Sequence, residues 1–153
     1  MEELKHVGKA YERSDGIRKV TGAAEYVDDI RLPRMLYAAV KRSPYAHAKI
    51  LSVDLEEAKK LPGVKCAICG DEYPNRAGLY LEDRYFMAKP GDTAKYMGEA
   101  VAAVAAETPE IAQAALDLIK VEYEELPAVT NAVEGMKPDA PVIHPDLGSY
   151  KVA

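Results

Sequence analysis

Seven consecutive residues, Ala100–Ala106, are all alanine or valine, and this run limits the folds open to the chain more than any other feature. A strand with one wet face alternates apolar and polar residues, so a run without alternation reads as a strand covered on both faces. It is far shorter than the roughly 20 apolar residues that span a bilayer. Thr108-Pro109-Glu110 follows at once. A hydroxyl able to cap, a proline suited to the first helical position and an acid in the first turn mark a helix start. Ile111, Ala115 and Leu118 recur at helical spacing and predict its buried stripe. Ile119, Val121 and Tyr123 then alternate with Lys120, Glu122 and Glu124, the signature of a half-buried strand.

The same strand, helix, strand order occurs earlier. Leu36–Val40 is a short apolar run closed by Ser43-Pro44, and Ala48–Asp54 reads as a second strand. Asp54-Leu55-Glu56-Glu57 has the spacing of a reciprocal capping box. It predicts a helix with Leu55, Ala58 and Leu61 on one face, stopped by Pro62-Gly63. Val64–Ile68 supplies the next strand. Two β-α-β units with additional strands predict a compact α+β domain.

Three stretches fall outside these units. The first 35 residues hold scattered apolar side chains with no sustained period, so they read as an extended arm that needs another surface to lie on. Asp71–Pro90 carries Tyr73, Tyr80, Tyr85 and Phe86 and reads as an ordered excursion with one short strand near Phe86. The tail from Pro127 also contains Pro138, Pro141 and Pro145; it should run extended apart from a short helix at Thr130–Met136. The expected division is an arm at 1–35, a core at 36–126 and a proline-rich tail at 127–153.

Candidate chemistry is sparse. A formal net charge of −5 argues against a nucleic-acid or anionic-membrane partner. The opening Met1-Glu2-Glu3 has no basic region leading into an apolar stretch, and the 2 cysteines are too few for a disulfide framework. A cytoplasmic setting is the expectation. Cys66 and Cys69 stand three apart with no second pair; on one strand they face opposite ways, and both read as buried structural thiols. His6, His47 and His144 are scattered. Ser43 lies near His47 but outside any nucleophile elbow, so the pair reads as a turn satisfying backbone groups rather than as a small hydrolase. Asp28-Asp29 and Glu124-Glu125 are neighbours that diverge on an extended chain and suit capping or solvation. No Gly-x-Gly-x-x-Gly and no Gly-x4-Gly-Lys is present, so no phosphate cradle is read.

Taken as ordered strings, five segments resemble one family. They are Lys19-Val20-Thr21-Gly22-x-Ala24-x-Tyr26-x-Asp28-Asp29; Leu36 through Ala48; Tyr96-Met97-Gly98-Glu99-Ala100-Val101-Ala102; Val121-x-Tyr123-Glu124-Glu125-Leu126-Pro127; and Ala140-Pro141-x-Ile143-His144. In this order they resemble the start of the large, molybdenum-binding subunits of the xanthine dehydrogenase/aldehyde oxidase family. The resemblance departs from the family over Asp71–Thr93, and at Glu99, where some members carry glutamine; what Glu99 does is not set by the match.

The resemblance implies an a/b hammerhead domain, the N-terminal structural part of a molybdenum-cofactor oxidoreductase. In that family a molybdenum ion held by a pterin dithiolene hydroxylates a purine, an N-heterocycle or an aldehyde. Water supplies the oxygen, and electrons leave through iron–sulfur clusters and FAD on other domains or subunits. The family's pterin-binding strings and glutamate base match no stretch of these 153 residues. The implied set of catalytic, cofactor-binding and metal-binding residues in this chain is therefore empty, and the chain alone is expected to be inactive. Its implied partners are a molybdopterin-binding domain following the tail and the iron–sulfur and flavin parts. The alternative is a stand-alone interaction or scaffold module derived from such an enzyme.

Overall fold

The computed structural model describes residues 5–78 and 84–145. The expected extended run over 146–153, and Tyr80 of the aromatic excursion, lie outside the described residues. Two units make up the chain, Met1–Met35 and Leu36–Ala153.

In the first unit no described residue is buried. It is not uniformly extended, because it forms a short helix, α1 (Gly16–Val20), and a 3-10 turn at Val27–Asp29. Asp15 pairs with Arg13 at 2.5 Å and Lys19 at 2.7 Å. The Asp29 carboxylate accepts from the Tyr26 amide at 2.9 Å. Local polar bonds such as these can hold turns where no core exists.

The second unit begins with β1 (Tyr37–Arg42), β2 (Ala48–Asp54), α2 (Glu56–Lys60) and β3 (Val64–Cys69). A minimal hairpin follows, β4 (Arg76–Ala77) with β5 (Arg84–Tyr85), then β6 (Thr93–Ala94). The second β-α-β unit is β7 (Ala100–Ala106), α3 (Pro109–Leu118) and β8 (Lys120–Glu125), and a last short helix is α4 (Ala132–Gly135).

The strands of each β-α-β unit do not share a sheet. One three-stranded sheet has the order β1-β7-β3 and the other β6-β2-β8. Every pairing in them is antiparallel. Each unit therefore gives one strand to each sheet and pairs with the other unit twice, β3 with β7 and β2 with β8. These are not parallel crossover units. The short helices carry the chain from one sheet to the other.

The alanine-valine run lies at the centre of the first sheet, hydrogen-bonded on both edges. Opposite Lys41 and Arg42 the register skips Val101, and such a bulge turns adjacent side chains to the same side. Val101 packs with Ile50 and Ala88. Its neighbour Ala102, with Val104, packs with Ala115, Leu116 and Ile119 of the α3 region and with Leu55 and Ala58 around α2. The alanines let these elements approach closely.

Local signals are realised unevenly. Thr108 caps α3, its side-chain oxygen accepting from the Ile111 amide at 3.2 Å, with Pro109 at the first helical position. The Lys41 ammonium of β1 donates to the Leu116 carbonyl at 2.9 Å, placing a cation at the negative end of α3. At α2 the expected reciprocal box does not form. Asp54 accepts from the Glu56 amide at 2.9 Å, two residues on, while Glu57 turns to Lys60 at 2.9 Å. The buried stripe of α3 is also rotated from the expected one: Ala112, Ala115, Leu116 and Ile119 are buried, and Leu118 is exposed. Residues 112, 115, 116 and 119 form an i, i+3, i+4, i+7 face, so the helix satisfies the pattern with a different phase.

Gly70, just beyond β3, lies against the backbone of Met87 and Ala88. A Cβ there would come within 2.7 Å of both carbonyl oxygens. This close approach brings the aromatic excursion back onto the core, where Ala88 donates to the Ala100 carbonyl at 2.8 Å.

The rotated stripe makes a paired prediction. Leu116→Ala should destabilise the chain by about 2–5 kcal/mol through a core cavity, whereas Leu118→Ala should change stability by less than about 1 kcal/mol. Chemical denaturation of the two variants measures the difference, and equal losses would contradict the observed phase.

Candidate functional site

Buried polar side chains collect where β1 turns into β2 and where β7 begins. Ser43, His47 and Glu99 are all buried. The turn at Ser43 is tied to the start of β7 in both directions: the Ser43 amide donates to the Glu99 carbonyl at 2.8 Å, and the Gly98 amide to the Ser43 carbonyl at 2.9 Å. Gly98 has φ +92, a left-handed conformation that glycine adopts at little cost.

Each candidate side chain in this junction is engaged by backbone. The Ser43 hydroxyl accepts from the Tyr45 amide and donates to the Tyr45 carbonyl, both at 3.1 Å. His47 Nδ1 lies 2.8 Å from the Pro127 carbonyl, and the Leu126 amide donates to the His47 carbonyl at 3.0 Å. This histidine fastens the entry of β2 to the segment leaving β8. Ser43 and His47 hold a turn, as their sequence context suggested, and do not bond to each other. The Tyr123 hydroxyl is buried without a hydrogen-bond partner; burial pushes its pKa up, and the nearby Ser43 hydroxyl acts the other way. The Tyr123 ring packs against Tyr45 with centroids 5.3 Å apart.

Glu99 is the one carboxyl in the described core, and sequence reasoning left its role open. Its side chain accepts from the Lys95 amide at 2.5 Å, closing the loop between β6 and β7. Burial pushes its pKa up; the Lys95 amide bond, the Lys95 charge and His144 pull against that, while Asp92 adds to it. The sequence marks Glu99 by position alone, between a turn glycine and an all-apolar strand; the Lys95 amide is what it meets on the inside.

The remaining candidates do not converge. Cys69 is buried but Cys66 is exposed, which corrects the expectation of two buried thiols. The register of β3 against β7 skips Lys65, so Val64, Ala67 and Cys69 all meet the core while Cys66 is turned out. Burial raises the Cys69 pKa. His6 lies in the first unit, its ring 5.9 Å from that of Tyr11. Asp29 caps a turn, and Glu124 and Glu125 are exposed on β8. Among the described residues no group of three or more His, Cys, Asp or Glu side chains is placed to hold a metal ion. The donor sets among the described residues thus do not fit a metal centre.

This arrangement defines a small α+β domain of two interlocked antiparallel sheets in which Ser43, His47 and Glu99 bond to the domain's own backbone. The family model for the aldehyde oxidase and xanthine dehydrogenase a/b hammerhead domain matches residues 21–127. The chain belongs to that family. It is 43% identical over 136 residues to a probable xanthine dehydrogenase subunit of Bacillus subtilis, covering 88% of this chain and 18% of that one. It is 37% identical over 148 residues to the nicotinate dehydrogenase large molybdopterin subunit of Eubacterium barkeri, covering 95% of this chain and 34% of the relative. The crystal structure of a Cu,Mo-CO dehydrogenase in its carbon monoxide-reduced state superposes with a TM-score of 0.84 at 32% identity, over 93% of this chain and 18% of that one. The chain therefore spans between about a fifth and a third of the length of these relatives.

The buried carboxyl has a pH signature. An unfolded glutamate ionises near 4.5 and the folded Glu99 at higher pH, so between the two values the folded state carries the extra proton. Stability should fall as pH rises through that window and then level off. Glu99→Gln keeps an acceptor for the Lys95 amide and should flatten this decline, as read by denaturant unfolding across the window. Glu99→Ala removes the acceptor and should cost about 1–3 kcal/mol on both sides of it.

Proposed function

We propose that this chain is the hammerhead portion of a molybdenum-cofactor oxidoreductase, a structural part that packs against cofactor-binding domains and contributes no catalytic residue. The division is an arm at 1–35, a hammerhead core at 36–126 and a tail at 127–153 leading toward a molybdopterin-binding domain. The complete enzyme would oxidise a purine, another N-heterocycle or an aldehyde. Molybdopterin, iron–sulfur clusters and FAD would sit on its other domains or subunits. Its substrate preference would be set by residues outside these 153.

One observation carries the reading. The match to molybdopterin-subunit relatives runs through nearly the whole chain, while the buried polar side chains Ser43, His47 and Glu99 are all engaged by backbone groups. A catalytic side chain needs a polar atom available to a reacting group, and these atoms are held within the fold. No helix among the described residues is long and apolar enough to cross a membrane, which is compatible with a cytoplasmic enzyme.

Two measurements test this. The purified chain should retain no molybdenum when offered the cofactor and should oxidise neither xanthine nor aldehydes; turnover or retained metal would overturn the structural role. The chain recovered with its native partners should carry molybdenum by metal analysis; its absence there would overturn the enzyme reading.

A further inference from the structure

The alanine-valine run calls for cover on both faces, and among the described residues of the second unit the helices cover one. On the inner face of the β1-β7-β3 sheet, Ala39, Ala67, Cys69, Ala102 and Val104 pack under the helices. On the outer face the register aligns Val40 with Ala103 and Ile68 in one row, and Ala38 with Ala105 and Cys66 in the next. All six side chains are apolar or a thiol. Ala38, Val40 and Cys66 are exposed and Ala103, Ala105 and Ile68 half-buried. Leu36, of the same parity as Ala38, is 44% exposed.

The face has a shape as well as a polarity. The central strand carries alanine in both rows; Val40 and Ile68 stand above Ala103 on its two sides, while beside Ala105 only Cys66 rises, since Ala38 is no larger than the floor. Three strands spaced about 4.8 Å apart make it about 10 Å across, the width of one helix. No charged side chain enters either row. Lys65 is paired with Glu107 at 2.8 Å beside the face, and Arg42 donates to the Gly98 carbonyl at 2.9 Å at its other end.

We propose that this trough receives an apolar segment from the remainder of a molybdopterin-binding large subunit, laid along β7 over Ala103 and Ala105. The inference rests on the functional reading above. The occupant follows from length: the match accounts for 18% of the Bacillus subtilis relative, so most of each such polypeptide is available to lie against it. A run of small apolar residues on the open side of a central strand suits close packing of that kind.

The test places this chain's sequence in the full-length Bacillus subtilis relative in place of the stretch it matches. Alkylation of Cys66 by a maleimide, followed at peptide level by mass spectrometry, is compared between the chimera and the 153-residue chain. The proposal predicts at least ten-fold slower modification in the chimera. It also predicts that Ala103→Glu lowers the yield of assembled chimera at least ten-fold while leaving the thermal midpoint of the chain alone nearly unchanged. A chimera that assembles and holds molybdenum, yet reacts at Cys66 as fast as the free chain, would overturn the docking face and leave the functional reading standing. A chimera that fails to assemble with the unaltered sequence would overturn both. A free chain that self-associates, protects Cys66 and becomes monomeric with Ala103→Glu would assign the face to a second copy and overturn the proposal.

Discussion

The second unit depends on β7 being hydrogen-bonded along both edges while presenting only small side chains. Its pairing with β1 on one side and β3 on the other draws together segments separated by about 30 to 70 residues in sequence, a loop-closure cost that only a shared core can offset. Alanine makes the shared core possible. A bulkier residue at 102 would push α3 off the sheet, and Val101, turned inward by the bulge, links this sheet's core to Ile50 of the second. The helices then act as spans between sheets, and neither three-stranded sheet is built from one unit alone.

The polar junction follows from the same geometry. Where β7 begins, the chain has just left a left-handed glycine, and the acid there must either face solvent or find a donor inside. Glu99 finds the Lys95 amide. Ser43 and His47 make the same choice at the other end of the turn, and the three together fix how the two sheets meet. The bonded side chains of Ser43, His47 and Glu99 give this junction rigidity, while the Tyr123 hydroxyl is buried there without a hydrogen-bond partner.

Much of this was legible in the sequence, and the gaps share a cause. The strand and helix order, the Thr108 cap and the half-buried alternation of β8 follow from local chemistry that needs no distant partner. The assignment of strands to sheets was not legible, because a short helix between two strands carries no mark of whether they will pair. Both bulges were equally hidden. Skipping Lys65 brought Val64 to the core and left Cys66 facing out with Ile68, and skipping Val101 buried two adjacent residues; each is a choice of register made by the neighbouring strand. The phase of α3 slipped for a related reason, since Ile111 and Leu118 fit the helical period as well as Ala112, Leu116 and Ile119 do, and only the sheet beneath decides. In the junction, the turn at Ser43 and His47 was readable from its residues, but the burial of Glu99 depended on a loop closing from Lys95.

The central claim, that the doubly paired alanine-valine strand organises the second unit, is tested most directly by native-state amide hydrogen exchange. The amides of Ala102 through Ala105 should exchange last, at the rate set by global unfolding, and well after those of the minimal hairpin at Arg76–Ala77 and Arg84–Tyr85. Amides of β7 exchanging as fast as that hairpin, while β2 and β8 stay protected, would show that the two sheets are stabilised independently and would contradict the account.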